Sequence, residues 1–440
     1  MSEQKVMNRW WVVVGGIVIQ LCLGAIYAWS AFTGKLTAAD GPFQFTKTQT
    51  QIIFSLGLLS FAIVMALVAG NWQKKVGPKI VAMTGGLVLG IGYVIGGLAG
   101  SSFWGILLGV GLLGGAGIGL GYVCPIAALV KWFPDKKGMI TGLAVAGFGF
   151  GALIWIKLTS GFKFGQTLDL GFGWTGLYGA GWTVSQVFIL YGVLFAVLVG
   201  LGAMVMVNPP DGWKPEGWNP PAASGASSSG GIEFSVAQMV RTAQFWKLFL
   251  TFFVGATAGL MVIGVIGLFG KDALTANGIT PQRATVIAGT AMGLFYALLN
   301  GLGRIVWGTL SDKLGRRNAI ATMTGLQGVV MIAFHFMGGQ EWGLYLGAAL
   351  IGFNFGGNFA LFPAATADYF GNKSVGTNYP WVFMSYGVGG VVGPILGGAM
   401  GDAKAWMWAF IPAGIACLVM AAVSLTLRAP KPAQFAAPPK

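Results

Sequence analysis

Charged residues are scarce in this chain, and their scarcity narrows its class. Asp, Glu, Lys and Arg make up 9% of the 440 residues, whereas hydrophobic residues make up 55%. An ordinary soluble domain carries roughly 25% charged residues. The composition therefore excludes an ordinary soluble protein and predicts a polytopic membrane protein surrounded by lipid.

Histidine and cysteine are also rare. The chain has a single histidine, His335, which argues against a histidine-based catalytic triad and against a multi-histidine metal site. Its three cysteines, Cys22, Cys124 and Cys417, fall in separate apolar runs, with no spacing suited to a metal or a disulfide. Together with the lack of a nucleophile–base pair, these absences predict no enzyme, no metal and no cofactor.

Acidic residues are missing from the middle of every apolar run. By sequence position all 12 lie in tails, in loops or near the ends of runs: Glu3, Asp40, Asp135, Asp169, Asp211, Glu216, Glu233, Asp272, Asp312, Glu341, Asp368 and Asp402. The sequence therefore offers no obvious carboxylate at membrane depth that could carry a proton.

Long apolar runs are what the sequence has in abundance. They lie near residues 10–32, 50–70, 79–100, 103–130, 138–160, 183–207, 245–270, 283–310, 318–338, 342–367, 376–401 and 405–427. Each is of bilayer-spanning length. A segment rich in Pro, Gly and Ser separates the sixth run from the seventh. The predicted organisation is a six-span half at 1–207, a linker at 208–240, a second six-span half at 241–428 and a tail at 429–440.

Lysine and arginine give the chain a net charge of +14. They are spread between the apolar runs and form no single basic face, which argues against nucleic-acid binding. Most of them lie in the loops and tails of one side. By the positive-inside rule, both termini and the linker are predicted to be cytoplasmic, which also requires an even number of spans.

The eighth apolar run contains an arginine, Arg304. A guanidinium cannot lose its proton in a protein. Placing one at mid-bilayer costs roughly 2.5–3.5 kcal/mol of insertion free energy even on the lenient insertion scale. It should therefore face a polar cavity. Asn300 and Tyr296 precede Arg304 by one and two helical turns, so the three side chains share one face of the helix. A cation, an amide and a phenol in one stripe indicate an anion site.

Glycine is the most abundant small residue, with 74 copies. Its spacings of three and four residues are typical of transmembrane helices that pack closely. The alternating glycines at 147–151 could be mistaken for a phosphate loop. No strand precedes them and no Lys-Ser or Lys-Thr follows, so we expect them to serve helix packing.

Two loops at matching positions of the two halves share a pattern. Residues 70–79 read GNWQKKVGPK and residues 308–317 read GTLSDKLGRR. Both resemble the loop of the major facilitator superfamily, in which a glycine, an acid, a base and another glycine precede further basic residues. The second copy is complete, whereas Lys74 occupies the acid position of the first. The resemblance implies an all-α membrane fold with twelve transmembrane helices, whose two six-helix halves enclose a substrate path at mid-membrane.

A closer resemblance lies between the fourth and fifth runs. Residues 132–151, WFPDKKGMITGLAVAGFGFG, are similar to the fifth-helix signature of the monocarboxylate transporter family. That family has an acid four residues before an arginine on its eighth helix, and here the pair is Asn300 and Arg304. Tyr27 begins a Tyr-Ala-aromatic step like the family's first helix, but Ala31 stands where animal members carry lysine. The similarity is closest to bacterial members that carry L-lactate, which implies a multi-pass protein of the bacterial inner membrane.

The bacterial oxalate/formate exchangers have a similar pattern. Residues 353–363 and 378–379, together with Arg304, resemble parts of their tenth, eleventh and eighth helices. Those exchangers carry a lysine on the eleventh helix as a second cation for a dicarboxylate, and here the matching residue is Tyr386. A second buried carboxylate would lack a charge partner, at a cost on the order of several kcal/mol. One fixed cation therefore favours a monocarboxylate.

These patterns define a candidate substrate site. Arg304 would pair with the carboxylate, and Asn300 or a tyrosine would bond a hydroxyl or keto oxygen. The other candidate lining residues are Tyr27, Tyr122, Tyr296, Tyr386, Asn354, Asn358, Phe355 and Phe359. Each has a structural alternative, because such side chains also join helices, and Arg304 could bind backbone carbonyls.

The expected function is secondary transport of a small monocarboxylate such as L-lactate or pyruvate by alternating access. The family resemblance implies proton-coupled symport, although Asn300 replaces the family's acid, so anion exchange and facilitated diffusion stay open. A carboxylate sensor is the alternative from another class, and the linker and tail are both short for a separate output domain. The expected working unit is a monomer.

Overall fold

Twelve long apolar helices make up most of the structure. The computed structural model describes residues 7–38, 40–160, 163–164, 168–169, 176–210, 212–217 and 233–430. We number the helices as spans 1 to 12: Arg9–Trp29, Ile52–Val76, Pro78–Leu98, Phe103–Trp132, Lys137–Thr159, Val184–Ala203, Ala243–Ala276, Pro281–Leu314, Arg316–Met337, Glu341–Phe370, Val375–Gly401 and Trp406–Ser424. They coincide with the twelve predicted runs, which confirms an all-α membrane protein.

The remaining described elements are short. Helices lie at Ser30–Leu36 after span 1, at Gly176–Gly179 before span 6 and at Val236–Met239 before span 7. Two antiparallel two-residue strands, Lys163–Phe164 and Leu168–Asp169, lie between spans 5 and 6.

The predicted linker is described at its two ends. Residues 211 and 218–232 lie outside the described residues, as does the tail from residue 431. From Glu233 onward the chain is described again, and the Ser235 side chain caps the short helix before span 7. This last part of the linker is held by defined contacts, because the Phe234 N–H donates to the carbonyl oxygen of Phe370 at 3.0 Å.

Two irregular turns adjoin candidate residues. The end of span 1, Gly24–Trp29, is a 3₁₀ segment that contains Tyr27. A π-helical turn in span 8, Ala291–Tyr296, ends one helical turn before Asn300. Such turns shift the helical register and are frequent at functional sites. Further π turns occupy Met65–Ala69 in span 2 and Leu107–Gly114 in span 4.

The loops after spans 2 and 8 have the same backbone conformation, as their repeated sequence pattern predicts. Gly77 joins spans 2 and 3 with φ 83° and ψ 163°. Gly315 joins spans 8 and 9 with φ 78° and ψ 152°. A positive φ is strained for residues that carry a Cβ, so glycine suits both positions. The two halves therefore make this turn in the same way.

Glycine allows span 5 of the first half to touch span 8 of the second. A Cβ on Gly142 would collide with the backbone carbonyl of Arg304, and one on Gly149 would lie 2.9 Å from the Cα of Gly301. Gly147 and Gly151 pack against the backbone of span 1. The glycine-rich stretch at 147–151 thus serves helix packing, as predicted.

Large apolar side chains that remain exposed line the outside of the bundle. On span 3, Leu87, Ile91, Ile95 and Leu98 follow helical spacing and are 39–72% exposed. An apolar stripe of this kind is unfavourable in water and is satisfied by lipid hydrocarbon. The outer surface thus fits a membrane-embedded protein.

We predict that Gly303→Val destabilises the protein. A Cβ at Gly303 would overlap the backbone carbonyl of Phe353 on span 10. Overpacking of this kind costs about 1–3 kcal/mol. The matched control is Gly289→Val on the same span, where a Cβ would meet no atom within 4 Å. Thermal unfolding of the purified variants, followed by intrinsic fluorescence, should show a lower midpoint for Gly303→Val alone; equal midpoints would contradict the packing account.

Candidate functional site

Arg304 of span 8 occupies the interior, where its side chain has 0% exposure. Its Nε donates to Oδ1 of Asn300, one turn earlier, at 3.1 Å. Its Nη1 donates to the backbone carbonyl oxygen of Val145 on span 5 at 2.8 Å. The arginine therefore bonds across the seam between the two halves. The sequence analysis left open that Arg304 binds backbone carbonyls, and the bond to Val145 is such a contact. It occupies only one N–H of the guanidinium.

Two buried donors at this position are left without a hydrogen bond of standard geometry. Arg304 Nη2 and Asn300 Nδ2 make none with the described residues, although the Tyr27 and Tyr122 hydroxyls lie close to the guanidinium. Each terminal guanidinium nitrogen carries two N–H groups, so Nη1 retains one N–H after it bonds Val145. A carboxylate that accepts from both terminal nitrogens would make two charge-assisted hydrogen bonds. Asn300 Nδ2 supplies a further donor nearby.

Acidic side chains do not neutralise Arg304 within the described part of the chain. The ion pairs found there involve Arg9, Lys137, Arg283 and Arg316. Described acids inside the spans lie near span ends, at Asp272, Asp312, Glu341 and Asp368. A buried cation without a counterion is costly, so the site favours an anion.

Aromatic rings cover the guanidinium on two sides. Its central carbon lies 4.1 Å from the ring centroid of Phe359 and 5.4 Å from that of Phe148. Such rings attract a cation through their negative faces, and more so when water is excluded. Phe148 was not among the predicted site residues, and it also packs edge-on against Tyr27 at 5.1 Å and Tyr122 at 5.3 Å.

Three predicted tyrosines meet beside Arg304. The hydroxyls of Tyr27 on span 1 and Tyr386 on span 11 are 2.5 Å apart. Tyr27 and Tyr122 of span 4 both interact with the guanidinium. The Tyr122 hydroxyl is buried and makes no hydrogen bond of standard geometry with the described residues. Because these side chains come from both halves, the site straddles the seam.

Tyr379 is a site residue that the sequence reasoning missed. It has 0% exposure, it interacts with Tyr122 and Arg304, and its hydroxyl makes no hydrogen bond of standard geometry with the described residues. It precedes Tyr386 by two helical turns, and that spacing is a sequence signal that could have found it. The Val145 carbonyl has no such signal, because every residue carries a backbone carbonyl.

Tyr296 and Phe355 form a second-half contact next to the site. The Tyr296 hydroxyl donates to the carbonyl oxygen of Gly259 on span 7 at 3.1 Å. Tyr296 also interacts electrostatically with Arg304. Phe355 packs against Tyr296 at 6.2 Å and against Phe359 at 5.3 Å. Both predicted residues therefore lie next to the candidate site and stabilise the packing of spans 7, 8 and 10 around it.

Asn354 and Asn358 make hydrogen bonds within the second half. Trp307 Nε1 donates to Asn354 Oδ1 at 3.2 Å. Asn358 Nδ2 donates to the carbonyl oxygen of Phe355 at 3.0 Å. None of these described bonds reaches Arg304. Asn354 Nδ2 and Asn358 Oδ1 remain buried without a partner among the described residues.

A charged cluster joins the halves at one end of the bundle. We call this end the linker face, because it carries the linker ends and the loops after spans 2, 4, 8 and 10. Asp312 at the end of span 8 accepts hydrogen bonds from the backbone N–H groups of Gly138 at 2.9 Å and Met139 at 2.8 Å. These groups begin span 5, whose helix dipole favours a negative charge there.

Asp368 extends this cluster. It accepts from Arg316 Nε at 2.6 Å and from Lys137 Nζ at 2.9 Å. Arg316 also pairs with Asp312 at 2.8 Å. Asp312, the acid of the complete second loop copy, and Asp368 thus join the two halves on the linker face.

Comparison with known proteins gives relatives that match most of the chain. An uncharacterized MFS-type transporter of Escherichia coli is 29% identical over 388 residues, covering 87% of this chain and 86% of the relative. The oxalate:formate antiporter of Oxalobacter formigenes is 24% identical over 431 residues, covering 95% and 91%. The apicoplast pyruvate carrier 1 of Toxoplasma gondii is 24% identical over 442 residues, covering 85% and 80%.

The fold has a counterpart among solved structures. The E. coli fucose:proton symporter superposes with a TM-score of 0.61 at 14% identity, covering 94% of this chain and 98% of the symporter. The family profile of the Major Facilitator Superfamily matches residues 17–340 and 278–440. Twelve spans, a repeated loop and a profile that extends over nearly the whole chain lead to one conclusion: this protein belongs to the Major Facilitator Superfamily of membrane transporters.

Proposed function

We propose that this transporter carries small monocarboxylates such as L-lactate or pyruvate. The observation that supports the proposal most is Arg304, a buried cation whose Nη2 makes no hydrogen bond of standard geometry and which has no ion pair among the described residues. A single carboxylate would neutralise it and satisfy its donors. The similarity to a pyruvate carrier and to an oxalate:formate antiporter supports a carboxylate substrate.

In the proposed binding mode, the carboxylate accepts hydrogen bonds from Nη1 and Nη2 of Arg304. The Asn300 Nδ2 group, which is buried and unpaired among the described residues, donates to the 2-hydroxyl or 2-keto oxygen. The hydroxyls of Tyr122 and Tyr379 complete the polar side of the pocket. Phe148 and Phe359, whose rings lie next to the guanidinium, form the apolar side and would contact the methyl group of the substrate.

Proton-coupled symport is the proposed energy source. Since the described acids inside spans lie near span ends, the substrate's own carboxyl group is the proposed proton carrier. Protonation would remove the charge attraction to Arg304 and favour release. Exchange of carboxylates is the second candidate function, and the similarity to the oxalate:formate antiporter favours it.

The proposed transport cycle uses the two halves, 1–207 and 241–428, as units that rock about the buried site. The proposed orientation puts the linker face and both termini in the cytoplasm, because most lysines and arginines lie on that side. The proposed location is the bacterial inner membrane, with a monomer as the working unit and without chemical change to the substrate.

We predict that Arg304→Ala abolishes L-lactate uptake into proteoliposomes. Removal of one partner from a buried, hydrogen-bonded charge pair costs about 2–5 kcal/mol, so uptake at low substrate concentration should fall at least about 30-fold. Arg304→Lys should retain little activity, because an ammonium cannot bond Asn300, Val145 and substrate in the same geometry.

The matched control for these variants is Arg283→Ala, an exposed arginine on the same span that pairs with Glu341. It should transport like the wild type. Uptake that survives Arg304→Ala in a folded protein would refute the proposed anchor role.

We predict that an inward proton gradient drives accumulation of L-lactate in proteoliposomes with wild-type protein. Radiolabelled uptake with and without the gradient measures this directly. Exchange of external formate for preloaded oxalate, without gradient-driven lactate uptake, would reject symport and establish the exchange alternative.

We predict that Tyr386→Lys shifts preference toward oxalate. The Tyr386 ring packs against Phe359 with their centroids 5.4 Å apart, and Phe359 covers Arg304, so a lysine at 386 would put a second cation near the first. A second cation offsets the burial cost of a second carboxylate, and the ratio of oxalate to L-lactate uptake should rise at least about tenfold. Tyr386→Phe is the control without the added charge. An unchanged ratio in folded Tyr386→Lys protein would count against charge matching as the basis of selectivity.

A further inference from the structure

The first half lacks an acid at a position where the second half uses one. In the second half, Asp312 binds the start of span 5 through two backbone N–H groups. The matching position in the first half is Lys74. A lysine cannot accept these hydrogen bonds, and its charge opposes the positive end of a helix.

The surroundings of Lys74 match those of Asp312. A Cβ on Gly308 would collide with the carbonyl of Gly138 at the start of span 5. A Cβ on Gly70 would lie 2.9 Å from the carbonyl of Gly376 at the start of span 11. The end of span 2 therefore faces span 11 as the end of span 8 faces span 5. Lys74 lies beside this seam, in a cavity that it lines together with Gly376 and Thr377 of the helix start, whose dipole has the same sign of charge as the lysine.

Positive groups surround this part of the seam. A cavity of about 80 Å³ on the linker face is lined by Lys74 and Lys131 from the first half and by Lys373, Gly376 and Thr377 from the second. Like charges across a closed seam repel one another and would favour its opening. A negative group close by would offset this repulsion.

Glu233, in the last part of the linker, lies at this position. Its two carboxylate oxygens accept from the backbone N–H groups of Lys373 at 2.9 Å and Ser374 at 2.8 Å, directly before span 11. It also interacts electrostatically with Lys131 of the first half. Glu233 thus binds one helix start and faces a cation across the seam.

The neighbouring residue fixes Glu233 in place. The Phe234 N–H donates to the Phe370 carbonyl at 3.0 Å, and its own carbonyl accepts from Asn378 Nδ2 at 2.9 Å. The Phe234 and Phe370 rings are in edge contact, with their centroids 5.7 Å apart. The end of the linker is therefore docked beside the start of span 11.

We propose that Glu233 supplies the acid that the first half lacks, and that the linker thereby forms a second latch of the linker face. The latch consists of Glu233, the start of span 11, Lys131 and Lys74. It stabilises the closed linker face, because opening separates the Glu233 carboxylate from Lys131 and Lys74 and so loses its attraction to these two cations. This inference rests on the superfamily fold and is independent of the substrate.

The test measures the closed and open populations of the linker face in the full chain. Nitroxide labels are placed at Lys79→Cys and Arg317→Cys, in a protein whose native cysteines, Cys22, Cys124 and Cys417, are replaced by alanine. Double electron–electron resonance in nanodiscs then measures the distance between the two halves. Glu233→Gln should lower the closed-to-open ratio about fivefold, in keeping with loss of one partly exposed charge–charge attraction across the seam. Glu216→Gln, at an exposed linker acid, should leave the ratio unchanged.

A charge reversal across the seam distinguishes a latch from a simple helix cap. Lys74→Asp restores the acid of the loop pattern and should return the ratio of Glu233→Gln toward that of the wild type. Lys75→Asp, at the neighbouring lysine that does not line the cavity, should not. The proposal is overturned if Glu233→Gln leaves the ratio unchanged, or if Lys74→Asp restores it no better than Lys75→Asp does.

Discussion

The burial of one guanidinium is the constraint on which the rest of this structure depends. Arg304 keeps its charge where no described acid pairs with it, which would be unfavourable without compensation. The protein compensates in part, through Asn300, the Val145 carbonyl and the faces of Phe148 and Phe359. Arg304 Nη2 and Asn300 Nδ2 remain as donors without a hydrogen bond of standard geometry among the described residues, so an anion would be bound favourably here. In the proposed binding mode, the substrate carboxylate completes the coordination of Arg304 that the protein itself leaves incomplete.

Close packing of spans 5 and 8 connects this site to conformational change. Gly142 lets span 5 approach the Arg304 backbone, and the same approach brings the Val145 carbonyl to the guanidinium. A rocking motion that separates these spans would break that bond and free a further N–H. On the linker face, Asp312 holds the start of the same span 5. The anchor of the proposed substrate and the closure of the linker face therefore act on one helix.

Sequence patterns predicted the spans because bilayer length and hydropathy are local properties. The Asn300 and Arg304 pair was also predictable, since helical spacing and the cost of a buried charge can be read from residue types. Phe148 and the Val145 carbonyl were not predicted, because their proximity to Arg304 depends on how spans from different halves pack. Glu233 looked like a residue of a flexible linker, and only its docking beside span 11 gives it a partner.

The most direct test of the central claim is a comparison of L-lactate with lactamide, its neutral analogue of nearly equal shape, by isothermal titration of the purified protein. If Arg304 is an uncompensated cation that requires a carboxylate, L-lactate should bind at least about 30-fold more tightly, as expected for a charged hydrogen-bonded pair. Equal affinities would contradict the account, because shape and neutral hydrogen bonds would then suffice for recognition.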